Sequence, residues 1–179
     1  LEFRRVLFRS NLQQADEMIK AAEANKVKLL VGYMKRYDPA YEEMKNRIPG
    51  IEKVHLIRVH EFAGTYKVNP EIYDLVKASD IDPELLNDVN QQNQIELLAD
   101  IGADRKDLLD AHDIMIHLSI HDINALHGLI GLPEKIVAAR LFDSNFVTAM
   151  MEYDNGVHLV WESGNLVTLR EWDEHIAVY

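Results

Sequence analysis

Residues 111–133 read A-H-D-I-M-I-H-L-S-I-H-D-I-N-A-L-H-G-L-I-G-L-P, and the rest of the fold is best understood from this stretch. Apolar residues recur through it at helical spacing. Gly131 and Pro133 then form a helix stop signal. The pattern predicts one largely buried helix from about His112 to Ile130.

The sequence on either side of this helix predicts the fold class. Upstream, Lys53–Phe62 is predicted as a long strand. Helices are predicted to start at Asn69-Pro70-Glu71 and at Asp82-Pro83-Glu84, and another helix is predicted from about Gln94 to Leu109. Downstream, four alternating stretches predict strands, with a hairpin turn at Asp154-Asn155-Gly156. They span Lys135–Phe142, Phe146–Tyr153, Val157–Ser163 and about 167–178. This order predicts an α+β domain, with an antiparallel or mixed sheet and helices on one face.

The segment 11–50 has a different character. Asn11 can cap a helix from Leu12 to about Asn25, and Asp38 with Pro39 starts a second helix that ends near Arg47. Between them, Val27–Tyr33 has the apolar composition of a buried parallel strand. The sequence therefore predicts a short α/β unit before a second domain at 51–179.

Both ends of the sequence suggest a piece of a longer protein. Residues 1–10, L-E-F-R-R-V-L-F-R-S, resemble a translated sequencing adapter, lack an initiator Met, and are left out of the functional interpretation. Tyr179 falls inside or just after a predicted strand. We therefore expect truncation at both ends.

Composition narrows the function classes. Thirty acidic residues against 19 basic ones give a net charge of −11, which argues against nucleic acid and anionic membranes as partners. The sequence has no cysteine, which excludes disulfides, thiolate chemistry and cysteine-based zinc sites, and a cytoplasmic enzyme fits. The G-x-G-x-x-G, P-loop and G-x-S-x-G motifs are also absent from the sequence.

The predicted helix carries four polar residues on one stripe. Asp113, His117, His121 and Asn124 fall at i, i+4, i+8 and i+11. Buried imidazoles need hydrogen bonds or a cavity, so the stripe is interpreted as lining a cleft, with hydrogen-bonded core histidines as the alternative. The spacing of His117 and His121 also fits a zinc pair, but zincins need Glu directly after the first His, where this chain has Leu118. No metal ligand is therefore assigned.

A second polar cluster is Gly32-Tyr33-Met34-Lys35-Arg36-Tyr37-Asp38-Pro39. It follows the predicted strand Val27–Tyr33, and open α/β sheets bind ligands beyond the carboxyl ends of their strands. Lys35 and Arg36 suit a hydroxyl-rich or anionic ligand. The alternative is a surface loop in which Arg36 pairs with a carboxylate.

Together these clusters resemble the Gfo/Idh/MocA family of oxidoreductases, and its inositol 2-dehydrogenase-like members in particular. The segment after the family's last Rossmann strands is similar to G-Y-M-K-R-Y-D-P-A-Y. The first strand of its C-terminal sheet is similar to R-V-H-E-F-A-G, and the helix of its catalytic histidine is similar to H-D-I-N-A-L-H-G-L-I-G-L-P-E-K. N-L-Q-Q-A-D-E-M-I-K-A-A-E resembles the helix after the family's E-K-P motif. The resemblance covers residues 11–179 and implies that 11–50 is the end of a Rossmann domain.

The resemblance implies hydride transfer between NAD or NADP and a sugar, inositol or related polyol. His121 matches the catalytic acid–base, which His117 or Asp113 would orient. Lys35, Arg36 and Asn124 would hold substrate hydroxyls or cofactor, and the sheet would form a homo-oligomer interface. His117 and Asn124 stand where the family often has Asp, so the alternative is a non-catalytic binding or regulatory member. A further alternative is a metal-dependent enzyme that uses His117 and His121. Without the nucleotide loop, the chain alone is expected to be inactive.

Overall fold

The computed structural model describes residues 11–64, 80–165 and 172–179. Within them, strands β1 to β5 span Leu56–Ala63, Lys135–Phe142, Phe146–Glu152, His158–Asn165 and Asp173–Val178. They form one sheet in the order β2-β3-β4-β1-β5. Because β1 lies parallel to β4 and every other neighbouring pair is antiparallel, the sheet is mixed. The predicted fold class is confirmed.

The helices α1 to α5 span Leu12–Ala24, Pro39–Arg47, Pro83–Ile101, Leu109–Ile114 and Ile120–Ile130. Short 3₁₀ turns lie at Met34–Tyr37, Ile48–Gly50 and Lys106–Leu108, and a π-helical segment at Met115–Ser119 joins α4 to α5. None of the described helices is long and apolar enough to cross a membrane.

Three helix starts have the predicted caps. The side-chain oxygens of Asn11, Asp38 and Asp82 accept hydrogen bonds from the backbone N–H groups of Gln14, Ala40 and Glu84. These bonds satisfy donors that a helix start leaves without a partner. The predicted start at Asn69-Pro70-Glu71 lies outside the described residues.

The predicted helix 94–109 differs from the structure at both ends. The helix that begins at Pro83 continues through this range to Ile101, and Gly102 ends it with a φ of 98°. Such a φ suits glycine, because a side chain there would be strained. The chain becomes helical again at Lys106.

The core lies between α5 and one face of the sheet. Ile57 and Val59 of β1, with Leu159 and Trp161 of β4, are each 1% exposed and pack with Leu126 of α5. Burying a large apolar side chain of this kind stabilises a fold by about 1.5–3 kcal/mol. This packing fixes the helix on the sheet, and with it the polar residues that follow Ser119.

The prediction of a buried strand at Val27–Tyr33 is wrong. The segment has no regular structure, and Val27 and Leu30 are 62% and 79% exposed. A buried parallel strand needs neighbouring strands to bond its backbone groups. No described strand pairs with this segment, which leaves Val27 and Leu30 exposed.

Candidate functional site

The helical run from Leu109 to Ile130 does not keep one period. Its π-helical segment at Met115–Ser119 holds one more residue per turn than an α-helix, which rotates the following residues by about 100°. The prediction that Asp113, His117, His121 and Asn124 form one stripe assumed a uniform α-helix. The structure instead divides these four residues between two environments, so the single-stripe prediction is wrong.

His117 lies with Asp113 on the side of the run that faces α1 and α3. Its Nδ1 is 2.9 Å from the Asp113 carbonyl oxygen and 3.1 Å from Asp113 Oδ1. The pair lines a small cavity with Asn11, Asn93 and Glu96. Since the side chains of both members are more than a third exposed, this contact is a surface pair with little effect on stability.

His121 lies in the second environment, beside the loop that precedes α2. Its ring meets the Tyr33 ring edge-on at a centroid distance of 6.3 Å. His121 Nδ1 is buried without a hydrogen-bond partner among the described residues. Burial lowers the pKa of His121 and the positive charge of Lys35 lowers it further, against a smaller opposing effect of Glu174. The imidazole is therefore neutral at physiological pH.

The side chain of Lys35 is surrounded by three carboxylates from three elements. Its Nζ lies 2.5 Å from Glu61 Oε1 in β1, 2.8 Å from Glu174 Oε2 in β5 and 3.1 Å from Asp122 Oδ1 in α5. Glu61 and Asp122 have fully buried side chains, whereas those of Lys35 and Glu174 are 17% and 28% exposed. We call Lys35, Glu61, Asp122 and Glu174 the lysine cluster.

One ammonium does not neutralise three carboxylates, so the lysine cluster retains a proton. Burial raises the pKa of Glu61 to about 8, and the charge of Asp122 adds to this effect. Burial also raises the pKa of Asp122 to about 6, although Lys35 opposes the rise. Glu61, whose pKa burial raises more, thus carries the larger share of this proton at pH 7, and a protonated carboxyl can donate a hydrogen bond where a carboxylate cannot. Burial acts to lower the pKa of Lys35, but its bonds to Glu174 and Glu61 and the negative charges of Asp122 and Glu61 together raise it.

Arg36 and Tyr41 hold the segment 34–47 against α5. The Arg36 guanidinium donates to the Asn124 carbonyl oxygen from two nitrogens, at 2.6 and 3.2 Å, and the Tyr41 hydroxyl donates to the Ala125 carbonyl oxygen at 3.4 Å. Gly128 permits this approach, because a Cβ there would overlap the Tyr41 hydroxyl. The Asn124 side-chain oxygen is buried without a hydrogen-bond partner among the described residues.

An open cleft of about 600 Å³ lies between this segment and β5. Its wall includes Lys35, Tyr37, Tyr41, Glu174 and His175. The cleft therefore shares Lys35 and Glu174 with the lysine cluster. His121 is not among its lining residues.

The described residues offer one group of possible metal ligands, which is Glu61, Asp122 and Glu174. Lys35 Nζ contacts all three carboxylates, so the ammonium already supplies the positive charge that a cation would bring. Neither His117 nor His121 belongs to such a group within the described ranges.

Glu61, Asp122 and Glu174 are the site residues that the sequence interpretation missed. Two of them had a signal. Glu61 follows Ile57 and Val59 at the period of two that places side chains on one face of a strand. Asp122 follows Ser119 by three residues and precedes Leu126 by four, which places it on the buried face of the helix.

No protein-family model matches the sequence, and no curated protein is significantly similar to it. Solved structures do share the fold. The myo-inositol 2-dehydrogenase from Lactobacillus plantarum superposes with a TM-score of 0.60 at 14% identity, covering 94% of this chain and 44% of that one. The scyllo-inositol dehydrogenase from Lactobacillus casei, solved with NAD(H) and scyllo-inositol, superposes with a TM-score of 0.53 at 14% identity. The match covers 92% of this chain and 43% of that one. The UDP-N-acetylglucosamine 3-dehydrogenase from Acidithiobacillus ferrooxidans superposes with a TM-score of 0.53 at 17% identity. The match covers 94% of this chain and 43% of that one.

Proposed function

We propose that this chain is the C-terminal portion of a nicotinamide-dependent dehydrogenase that acts on a sugar, inositol or related polyol. Its fold is that of a part of inositol and sugar dehydrogenases of the Gfo/Idh/MocA type, and the chain spans less than half the length of those compared above. The observation that carries this proposal is His121, an imidazole that burial and Lys35 keep neutral. A neutral imidazole is the form that accepts a proton from a hydroxyl.

We propose the domain division that the sequence resemblance implies. In it, residues 1–10 are an adapter-like, non-native segment, residues 11–50 end a Rossmann domain, and residues 51–179 form a substrate-binding and oligomerisation domain that is truncated at its C-terminus. Exposed apolar side chains in the first segment support this division, among them Val27, Leu29 and Leu30. In a complete Rossmann domain, neighbouring strands would cover them.

We infer NAD or NADP as the cofactor of the intact protein, because structures with this fold were solved with NAD or NAD(H). The described residues fit only the nicotinamide end of such a cofactor. His121 Nδ1 and the Asn124 side-chain oxygen are buried polar atoms without a partner, whereas the sequence has no glycine-rich phosphate loop. Nicotinamide, when bound, accepts or donates the hydride.

His121 carries the proton in the proposed reaction. When the substrate alcohol is oxidised, the hydroxyl proton passes to His121 as the hydride leaves the carbon that bears this hydroxyl. In reduction, the imidazolium returns the proton to the oxygen. Asn124 binds a substrate hydroxyl through its side chain. Arg36 fixes the Asn124 backbone on one side of the site. Asp113 and His117 contact each other instead of His121, so we assign them no direct part in proton transfer.

The position of His117 is also the observation that favours the second candidate, a non-catalytic binding or regulatory protein of the same fold. In that protein His121 would be a packing residue without a carboxylate to orient it. A metal-dependent enzyme has less support, because neither histidine belongs to a described group of three possible ligands.

The open face of the sheet is the proposed homo-oligomer interface. It carries aromatic side chains from three strands, in which the Phe62 ring lies 5.0 Å from the His60 ring and 5.5 Å from the Phe146 ring, and Phe142 packs beside Phe146. Exposed apolar patches of this kind mark interaction surfaces.

The test of the proposed function uses the parent protein with its upstream segment restored. His121→Ala should lower turnover of myo-inositol or another accepted polyol by about 10²–10⁴-fold, with a smaller change in KM. His127→Ala is the matched control, because His127 is an exposed imidazole on the same helix. If His121→Ala melts early yet turns over normally, His121 is a packing residue. If the parent reduces no NAD or NADP with any polyol, the binding-protein alternative is favoured.

A further inference from the structure

A pair of buried hydroxyls joins the π-helical segment to the sheet. Ser119 is the last residue of that segment and Ser163 lies in β4, and both are fully buried. Their Oγ atoms are 2.7 Å apart, which is the usual length of a hydrogen bond between two hydroxyls. A serine inside a helix commonly bonds its hydroxyl to its own helix or directs it to solvent. The Ser119 hydroxyl bonds a strand, so this contact fixes the helical run on β4.

The same turn of helix makes a second polar contact, above the neighbouring strand. Three residues after Ser119, the carboxylate of Asp122 meets the ammonium of Lys35. That ammonium also binds Glu61 of β1, the residue that pairs with Ser163 across the two strands. Residues three apart on a helix lie about 5–6 Å from each other, and neighbouring strands lie about 4.8 Å apart. The spacing of Ser119 and Asp122 therefore matches the spacing of β4 and β1.

The π-helical segment decides which residues of α5 face these two strands. If Met115–Ser119 were α-helical, the residues after it would be rotated by about 100° relative to α4. Ala111 of α4 and Leu126 of α5 are both buried, so packing holds each helix in its own orientation. The π-helical segment takes up the difference between them. Because the hydroxyl pair lies at the end of this segment, it holds the rotation with which α5 begins.

We propose that Ser119 and Ser163 are positioning residues: their hydrogen bond holds the π-helical segment on β4 and so fixes the rotation of the start of α5, which carries His121, Asp122 and Asn124. The rotation is a property of this chain as it stands. The catalytic consequence rests on the proposed function, in which His121 and Asn124 meet the substrate. Both serines act through these residues and contact neither substrate nor cofactor.

The first test is NMR of the 179-residue chain, which needs neither cofactor nor activity. The rings of Tyr33 and His121 meet edge-on at 6.3 Å, so their protons should give a nuclear Overhauser effect. Ser119→Ala with Ser163→Ala removes both hydroxyls and leaves neither without a partner, so the double variant should fold. In this variant the effect should be lost, whereas Ser144→Ala, at an exposed serine between β2 and β3, should retain it. A folded double variant that retains it would overturn the proposal.

The second test is turnover of a polyol by the parent protein with its upstream segment restored. Ser119→Ala and Ser163→Ala should each lower kcat by about 10–100-fold, because a displacement of about 1 Å at a catalytic group can cost that much. The double variant should lose no more than the weaker single variant, since both hydroxyls act through one bond. KM and the Kd for NADH should stay within about twofold.

Two outcomes of this cycle would contradict the positioning role. Losses that multiply in the double variant would show two independent packing defects. Single variants that melt early yet turn over normally would show that the hydroxyls serve stability alone. If the nuclear Overhauser effect is lost in the double variant and the unsubstituted parent is inactive with every polyol, the proposed function fails while the positioning of α5 by the two serines stands.

Discussion

Replacing Glu61 by Gln should change how the stability of the chain depends on pH. Burial raises the pKa of Glu61 from 4.5 to about 8. The folded state therefore holds a proton that the unfolded state releases above about pH 4.5, and the stability that this proton contributes is present below that pH. It is lost as the pH rises through about 8. The unsubstituted 179-residue chain should accordingly become less stable as the pH rises from 5 to 8.

The size of the effect follows from the shift. At about 1.4 kcal/mol per pKa unit, a rise from 4.5 to about 8 corresponds to at most about 5 kcal/mol, part of which is shared with Asp122. The measurable quantity is the slope. One additional proton bound by the folded state makes the free energy of unfolding fall by about 1.4 kcal/mol per pH unit. Glu61→Gln should remove up to that much of the slope.

The assay is urea unfolding, followed by circular dichroism at several pH values between 5 and 8. Gln can still accept a hydrogen bond from Lys35 and can donate one to Asp122, so the variant should fold. Glu52→Gln, an exposed carboxylate outside the lysine cluster, is the control and should leave the slope unchanged. Equal slopes for the parent chain and Glu61→Gln would refute the conclusion that Glu61 holds the proton.

Three further predictions concern the chain as it stands. Fluorescence titration of NADH should show negligible binding, since the sequence lacks the glycine-rich loop that orients the pyrophosphate; saturable micromolar binding would contradict the division proposed above. Gly128→Ala should lower the free energy of unfolding by about 1–3 kcal/mol, because the added Cβ would overlap the Tyr41 hydroxyl, whereas Gly50→Ala meets nothing within 4 Å and should be neutral. Leu159→Ala should cost about 2–5 kcal/mol in urea unfolding, and Leu132→Ala, at a position that is 72% exposed, should cost far less.

The helices and strands whose ends are marked by a cap, a proline or a clear alternation of side chains were predicted well. The helix at Pro39–Arg47 and the strand at Lys135–Phe142 have the predicted bounds, because a cap with proline begins the one and alternation defines the other. Val27–Tyr33 has equally strong strand composition but forms no strand. The difference is physical, since a helix bonds its own backbone, whereas a strand needs a neighbour that the described residues do not include.

The candidate site was predicted in part. Lys35 and Arg36 contact α5 through the Asp122 carboxylate and the Asn124 carbonyl oxygen, and Tyr33 of the same loop meets the His121 ring. The roles that the resemblance implies for these residues stay predictions. The π-helical segment was not predictable from spacing, because helical periodicity assumes one constant turn. The carboxylates around Lys35 were missed because acidic residues are usually solvated, so Glu61 and Asp122 were not singled out as buried.

The order in which the groups titrate separates His121 from the lysine cluster. Burial lowers the pKa of His121 and the charge of Lys35 lowers it further, whereas burial raises the pKa of Glu61 to about 8. As the pH rises, His121 therefore loses its proton before Glu61 does. While Glu61 is protonated, the ammonium of Lys35 already faces the carboxylates of Asp122 and Glu174, so the ionisation of Glu61 adds negative charge that the single ammonium does not offset. A protonated Glu61 thus limits the negative charge of the lysine cluster across the pH range in which the proposed reaction needs a neutral His121.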